Sequence, residues 1–344
     1  MAEEPNGVPS PLNVLYIYEE RIPEILRQLI RSSIPPGDFV VDETTYAAPV
    51  TEVSEKISGA DIALLAPGRV LAEPILAAAA ARLRLIQLLS SGYDKFNTVD
   101  ARRYGIPVAN NGGANAVAVA EHTLLLMLAV YKQLPDSHRR TVEGSWAGNS
   151  HGMDMFLLHN KTLGLVGFGA IGTEVARRAS AFGMRVRYYD PVRASPEVER
   201  ELKAEYSTFD QLLSSADVLS LHVHLNDATA RMIGREELER MRPSAVLINV
   251  SRAELVDNRS LLTVLQSGRL WGAGLDVYEH EPTQPADPLL LHPHVVATPH
   301  MAGATVDTYV IALKNAVTNF YRVKSGAAPL WVVNGVPAAA GSRT

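Results

Sequence analysis

Residues 162–191, TLGLVGFGAIGTEVARRASAFGMRVRYYDP, decide the fold. The apolar run 162–168 reads as a buried strand. Gly167, Gly169 and Gly172 close it as GxGxxG, and a helical pattern starts at once over 171–181. A second apolar run, 184–189, ends in Asp190, 18 residues past Gly172. Strand, glycine turn, helix, strand and acid in that order form the fingerprint of a dinucleotide site. The first glycine permits a tight turn, the second lets backbone approach a pyrophosphate, and the third lets helix pack close on strand. The helix N-terminus offers N–H groups and partial positive charge to the phosphates. A carboxylate at Asp190 accepts hydrogen bonds from the adenosine ribose and repels a 2′-phosphate, which favours NAD over NADP. Arg193, three residues on, is the residue that could soften this preference.

The same alternation fills the flanking sequence. Downstream, strands are expected at 218–223, 245–250, 272–277 and 294–297, with helices at 209–216, 236–241 and 259–266. Upstream, strands fall at 13–18, 39–42, 61–66, 83–89 and 106–109, with helices such as 22–30 and 72–81. Short apolar runs between helical patterns are the signature of a parallel sheet, so the class is α/β. A helix over 114–133, apolar on nearly every face, is expected to lie buried between two domains. Residues 135–160 read as irregular, and a stretch of that length suits packing against a second subunit. A last helix is expected at 306–323. The run VEREL at 198–202 reads as a solvated helix face.

Composition narrows the function classes. A chain of 344 residues is long enough for two domains. Lys and Arg number 32 against 37 Asp and Glu, and the net charge of −5 removes the electrostatic case for a nucleic-acid partner. There is no cysteine, so disulfide scaffolds, CxxC redox chemistry and cysteine-ligated zinc are excluded. The longest purely apolar run, 124–131, falls short of the roughly 18–20 residues a bilayer requires, so no membrane partner is expected. The acidic, Pro/Gly-interrupted start reads as a frayed leader and residues 335–344 as equally loose. A cytoplasmic protein is the expectation.

Moving a hydride between carbon atoms needs a group that exchanges a proton with the substrate oxygen and a cation that holds an acidic substrate. Three segments offer them. LINVSRAELVD (247–257) carries Arg252 after a strand end, the edge at which open α/β sheets bind ligands. GAGLDVYEHEP (272–282) carries Asp276 at another strand end, with Glu281 five residues on. VVATPHMAGAT (295–305) places His300 in a small-residue loop. His222 with His224, and His292 with His294, raise a metal hypothesis, but neither pair has a third ligand nearby and no metal is expected.

The segments LLSSGYDKFN (88–97), NGGANAVAVAEH (111–122), TLGLVGFGAIG (162–172), NVSRAELVD (249–257), GLDVYEHEP (274–282) and ATPHMAG (297–303) together resemble the D-isomer-specific 2-hydroxyacid dehydrogenase family, of glycerate, hydroxypyruvate or glyoxylate reductase type. The resemblance runs from about residue 60 to 335. It implies two doubly wound parallel-sheet domains, Rossmann-like and flavodoxin-like, separated by a cleft. The substrate domain would be discontinuous, 1–113 plus 300–344, and the NAD-binding domain would be 114–299. The catalytic set would be Arg252, Glu281 and His300. His300 would be the acid/base, Glu281 would hold its other nitrogen and favour the imidazolium, and Arg252 would bind the substrate carboxylate. Cofactor contacts would come from Gly167, Phe168, Gly169, Ala170, Ile171, Gly172, Asp190, His224, Thr229, Val250, Arg252 and Asp276, the last on the nicotinamide carboxamide. Substrate contacts would add Ser91 and Gly92, through backbone N–H groups, to Arg252 and His300. The family implies a homodimer through the NAD-binding domain.

Some positions depart from the family pattern: His224 stands where a proline is usual, Ala253 where a glycine is frequent and Asn258 where a Glu is frequent. Ala66, Pro67 and Gly68 occupy positions where phosphoglycerate dehydrogenases place a phosphate-binding arginine, although Arg69 follows, and no regulatory domain follows Gly335. A phosphorylated substrate is therefore disfavoured. Formate-oxidising relatives carry Gln in place of Glu281, and phosphite-oxidising ones Lys in place of Ser91. A small 2-oxo or 2-hydroxy acid remains, with glyoxylate, hydroxypyruvate and pyruvate as leading choices. The alternative is an NAD(H)-sensing, corepressor-like binding protein of the same fold.

Overall fold

The computed structural model describes residues 10–66, 70–146 and 148–337. The expectations for the N-terminal leader, for Pro67, Gly68 and Arg69, and for 338–344 fall outside those residues. The chain forms two compact units, one joining the residues up to Ala114 with those from Val306, the other comprising Asn115–Thr305.

In the first unit, β1 (Leu12–Tyr18), β2 (Phe39–Thr45), β3 (Ile62–Leu65), β4 (Leu85–Leu88) and β5 (Val108–Ala109) make a sheet of order β2-β1-β3-β4-β5. Every pairing is parallel. This is the flavodoxin-like order. All four residues of β3 (IALL) and of β4 (LIQL) are buried, as strands covered on both faces must be. The connecting helices are α1 (Glu24–Ser33), α2 (Val50–Ser58), α3 (Glu73–Ala79) and α4 (Thr98–Arg103).

The chain's last helix, α12 (Val306–Lys324), completes this unit. Its Ala312, Leu313, Ala316 and Phe320 share a core with Tyr16, Ile62 and Leu64. A buried polar pair fixes the register. Asn319 donates from Nδ2 to Gln87 Oε1 at 2.8 Å, and its Oδ1 accepts the Leu330 N–H at 2.7 Å. Beyond the helix, Val333 N–H donates to Val108 O at 2.8 Å, and Asn334 accepts from Val108 N–H while donating to Ile106 O.

The second unit holds β6 (Thr162–Val166), β7 (Arg185–Tyr189), β8 (Ala204–Tyr206), β9 (Val218–Leu221), β10 (Val246–Asn249), β11 (Gly272–Leu275) and β12 (Val295–Ala297). Its order is β12-β11-β10-β9-β6-β7-β8, again parallel throughout. The direction of winding reverses between β6 and β9, and ligands of such sheets bind at that point. One face is covered by α5 (Ala116–Tyr131) and α7 (Ala170–Ala181), through Leu126, Met127 and Val130 and through Val175, Ala176 and Ala179. The other is covered by α9 (Phe209–Ser215), α10 (Arg235–Arg240) and α11 (Asn258–Gln266). Two more helices are α6 (Leu134–Val142) and α8 (Pro196–Leu202).

Four details differ from the sequence reading. The second crossover between units lies after Thr305 rather than at 300. Asp276 accepts the Met301 and Ala302 N–H groups, and Thr298 N–H donates to Leu275 O, so this loop is bound to β11. Residues 135–160 are less irregular than expected, with α6 and a 3₁₀ turn at Gly148–Asp154. No residue of α6 is buried; Asp136–Arg139, Asp136–Arg140 and Arg139–Glu143 ion pairs at helical spacing support it instead. The edge strand β8 was not anticipated because AEY buries only Ala204. The 198–202 run lies on α8, but Leu202 is buried and Glu199 is engaged with β7, so the face is not simply solvated. Among the described residues no single helix is long and apolar enough to cross a membrane.

Candidate active site

The turn after β6 shows a separate demand at each glycine. Gly167 has φ +96°, and a Cβ there would meet His222 O at 2.4 Å. A Cβ on Gly172 would lie 2.3 Å from Gly167 O. Gly169 is different: its backbone is extended and nothing lies within 4 Å of a Cβ built there. It is also the N-cap of α7, with no side chain capping the first turn. Unclaimed N–H groups facing open space over a small residue fit a dinucleotide pyrophosphate.

Asp190 directly follows β7, and its carboxylate organises the turn. Oδ2 accepts the Phe168 N–H at 2.9 Å and Oδ1 the Val192 N–H at 2.9 Å. Arg193 is paired with Glu199, Nε and Nη2 each donating at 2.9 Å. Glu199 also accepts from the Tyr188 hydroxyl at 2.7 Å, and Arg193 lies over the Tyr206 ring. The guanidinium, helped by the Tyr188 hydroxyl, draws the Glu199 carboxyl down to about 2. The cation that could recognise a 2′-phosphate is thus held by a carboxylate.

The proposed catalytic residues all lie in the second unit, beyond the carboxyl ends of its strands. At β10, the buried Asn249 donates from Nδ2 to Arg252 O at 2.8 Å and accepts the Ser251 N–H, while Ser251 Oγ donates to Leu221 O. This folds the strand end into a turn carrying Arg252, whose guanidinium donates to Ser251 O at 2.7 Å. Val250 is buried beside it. After β9, Thr229 Oγ1 donates to His224 O and accepts the Asn226 N–H, so His224 and Thr229 share one loop.

His300 and Glu281 meet directly. His300 Nδ1 lies 2.8 and 2.9 Å from the two Glu281 oxygens. The imidazole remains 41% exposed. His300 sits at φ +51°, in the left-handed region, with its N–H on Thr298 O. Tyr278 N–H donates to Glu281 Oε1 at 3.2 Å, and the Tyr278 hydroxyl lies 2.9 and 2.8 Å from the carbonyls of Leu275 and Thr298. Burial raises that hydroxyl to about 12. Asp276, assigned by resemblance to the nicotinamide, has no exposed surface, and its carboxylate is turned to Thr298, Met301 and Ala302. No single motif in the sequence pointed to Asn249, Tyr278 or Glu199. The only available signals were an Asn two residues before a strand-end Ser-Arg, and a Tyr between two acids.

In the first unit, Ser91 and Gly92 lie in the loop after β4. Ser91 Oγ donates to Asn111 Oδ1 at 2.6 Å, Ser90 Oγ to Gly92 O at 2.8 Å, and Asn110 Nδ2 to Ser91 O at 3.0 Å. Of the four paired histidines, His222 and His294 each have a partner within the fold. His222 Nε2 faces Ser220 Oγ, and burial pushes its imidazole down to about 3. His294 Nδ1 faces Trp271 O. Among the described residues no group of three or more His, Cys, Asp or Glu side chains is placed to hold a metal ion.

A sequence model for the NAD binding domain of D-isomer specific 2-hydroxyacid dehydrogenases matches residues 124–302. A glyoxylate reductase of Korarchaeum cryptofilum is 40% identical over 258 residues, 74% of this chain and 77% of that protein. Of solved structures, a D-lactate dehydrogenase with NAD+ from Lactobacillus jensenii is similar at TM-score 0.78 and 27% identity, covering 93% of this chain and 99% of that one. A glyoxylate reductase from Paecilomyes thermophila is similar at TM-score 0.79 and 27% identity, covering 94% and 98%.

Two outcomes follow from the geometry of the turn and its acid. Gly169→Ala keeps the wild-type unfolding temperature but weakens NADH by about tenfold or more, whereas Gly172→Ala loses both stability and NADH; fluorescence titration and thermal unfolding separate them, and wild-type NADH affinity in Gly169→Ala refutes the pyrophosphate assignment. Glu199→Gln releases Arg193 and narrows the preference for NADH over NADPH, an effect that Arg193→Ala cancels in the double variant. An unchanged NADPH/NADH ratio of kcat/KM in Glu199→Gln removes Glu199 from cofactor choice.

Proposed function

The chain belongs to the D-isomer specific 2-hydroxyacid dehydrogenase family and is an NAD-dependent oxidoreductase acting on CH–OH groups, and on that footing we propose that it interconverts small unphosphorylated 2-oxo and 2-hydroxy acids. Glyoxylate, hydroxypyruvate and pyruvate are the leading substrates, glyoxylate first because relatives named glyoxylate reductase resemble this chain. The observation that carries the reading is the His300–Glu281 pair at 2.8 Å, on the same unit as the glycine turn. The cofactor supplies the hydride that joins C2 during reduction.

The protein's own groups handle the proton and the charge. With Nδ1 against Glu281, the imidazole of His300 is left with Nε2 to give a proton to the 2-oxo oxygen, or to take it from the 2-hydroxyl in oxidation. Glu281 fixes the ring's orientation and tautomer. Arg252 presents a planar fork suited to a carboxylate, which orients the 2-oxo acid and polarises its carbonyl. In the first unit, the loop after β4 offers the backbone N–H groups of Ser91 and Gly92 as proposed donors to an acidic substrate. We propose a cytoplasmic setting, in keeping with water-soluble reactants and with no single helix, among the described residues, long and apolar enough to cross a membrane.

We further propose a homodimer formed through the second unit. Leu125 on α5, Leu134 and Val142 on α6, and Trp146 just beyond are exposed, Trp146 by 85%. Large apolar groups gathered on neighbouring elements mark association surfaces.

A panel of 2-oxo acids with NADH, followed by loss of nicotinamide absorbance, tests the activity. Turnover is expected on glyoxylate or hydroxypyruvate; tight NADH binding with no turnover on any acid leaves the NAD(H)-sensing reading instead. His300→Asn lowers kcat by about 10²–10⁴ while NADH still binds, and Arg252→Ala loses mainly kcat/KM for the acid. Wild-type rates in either variant overturn its role. Light scattering is expected to show a dimer that Trp146→Glu with Val142→Glu splits, and a monomeric wild type refutes the interface.

A further inference from the structure

The contacts of Asp276 extend past the residues the proposed reaction uses and reach a histidine in the middle of α5. Thr298 is the junction. Its N–H donates to Leu275 O at 2.9 Å, and its carbonyl accepts from His300 N–H at 3.0 Å and lies 2.8 Å from the Tyr278 hydroxyl. Its Oγ1 lies 2.6 Å from Asp276 Oδ1 and 2.9 Å from His122 Nε2. Asp276 is completely buried and the His122 side chain nearly so, at 9% exposure.

Proton accounting fixes the direction of every bond. A carboxylate only accepts, so the Thr298 hydroxyl spends its single proton on Asp276. That oxygen can then only accept from His122, so Nε2 of His122 carries a hydrogen. Burial lowers the His122 imidazole against the opposing pull of Asp276, which suits a neutral ring with one N–H. The remaining capacity of Asp276 takes Met301 N–H at 2.9 Å and Ala302 N–H at 2.8 Å.

The residue bracketed by these contacts is His300. Its left-handed backbone is costly for a side chain with a Cβ and persists only when its surroundings impose it. Thr298 holds the chain two residues before it, and Asp276 holds the chain one and two residues after. We propose that His122 and Thr298 are positioning residues for His300: the His122 N–H, through the Thr298 hydroxyl, orients the Asp276 carboxylate, which sets the backbone on both sides of the acid/base. The inference rests on the assignment of His300 given above.

Paired substitutions test it. Thr298→Val removes the hydroxyl at nearly constant shape and Thr298→Ser keeps it; His122→Leu removes the N–H and His122→Gln restores a donor near the place of Nε2. The readouts are kcat and KM for glyoxylate with NADH, the NADH dissociation constant, and the unfolding temperature. Thr298→Val and His122→Leu are expected to lower kcat by about tenfold to a hundredfold, the scale of a misplaced catalytic group. The NADH dissociation constant stays within about twofold, and Thr298→Ser and His122→Gln recover most of the loss. Equal kcat within each pair overturns the inference, as does a loss that the donor-keeping variants fail to recover. Should Thr298→Val fail to fold, the His122 pair carries the same comparison. His300→Asn is the reference: if it keeps its kcat, the acid/base assignment fails, whereas if it loses kcat and the four variants do not, only this inference fails.

Discussion

Every strand pairing in both sheets is parallel, and the rest of the molecule follows from that constraint. A parallel partner must be entered from the same end as its neighbour, so each connection crosses back over a face, usually as a helix. Helices on both faces leave the inner strands no contact with water, which is why LIQL, VLSL and VLIN are buried at every position. It also brings all carboxyl ends to one edge of each sheet. In the second unit that edge collects Gly167, Asp190, Arg252, Asp276 and His300, residues spread over more than a hundred positions of sequence.

At that edge the protein combines exposure with restraint. Two of the positions proposed to meet ligand keep surface: the imidazole of His300 is accessible, and space is open beside Gly169. Two side chains that brace this edge have almost none. Asp276 and Asn249 are buried, and each uses its side chain to tie backbone that carries a reactive residue. A buried polar group without partners is costly, so each acts as a constraint that permits few local conformations. Arg193 shows the opposite use of a pairing, where a carboxylate withholds a cation from the solvent-facing site.

The parts of this arrangement that the sequence displays are those encoded locally. The glycine turn was readable because one short stretch carries strand, turn, helix and acid, and the inner strands because four or more apolar residues in a row have few other uses. Elements held by something other than a buried face were not. The helix α6 depends on surface ion pairs, and β8 offers one buried alanine. Within the site, Arg252, Glu281 and His300 each stand in a recognisable segment. The links among Asp276, Thr298 and His122 join residues up to 176 positions apart, and no local pattern announces them. For Asp276 the segment was visible but its surroundings were not, since burial is a property of the packed loop.

The composite build of the first unit has a consequence in time. Gln87 and Asn319, hydrogen-bonded in its core, are 232 positions apart. A ribosome therefore delivers the five strands of that sheet, then the entire second unit, before the helix that covers Tyr16, Ile62 and Leu64. The second unit is contiguous and can close as it emerges, whereas the first must wait with the part of an apolar sheet face that α1 does not reach uncovered. Closing so long a loop carries an entropic cost that grows only slowly with its length, and folding the intervening unit first shortens the chain to be searched. In this architecture the nucleotide-binding unit serves its neighbour as a folded spacer, holding the two halves of a divided sequence within reach of each other.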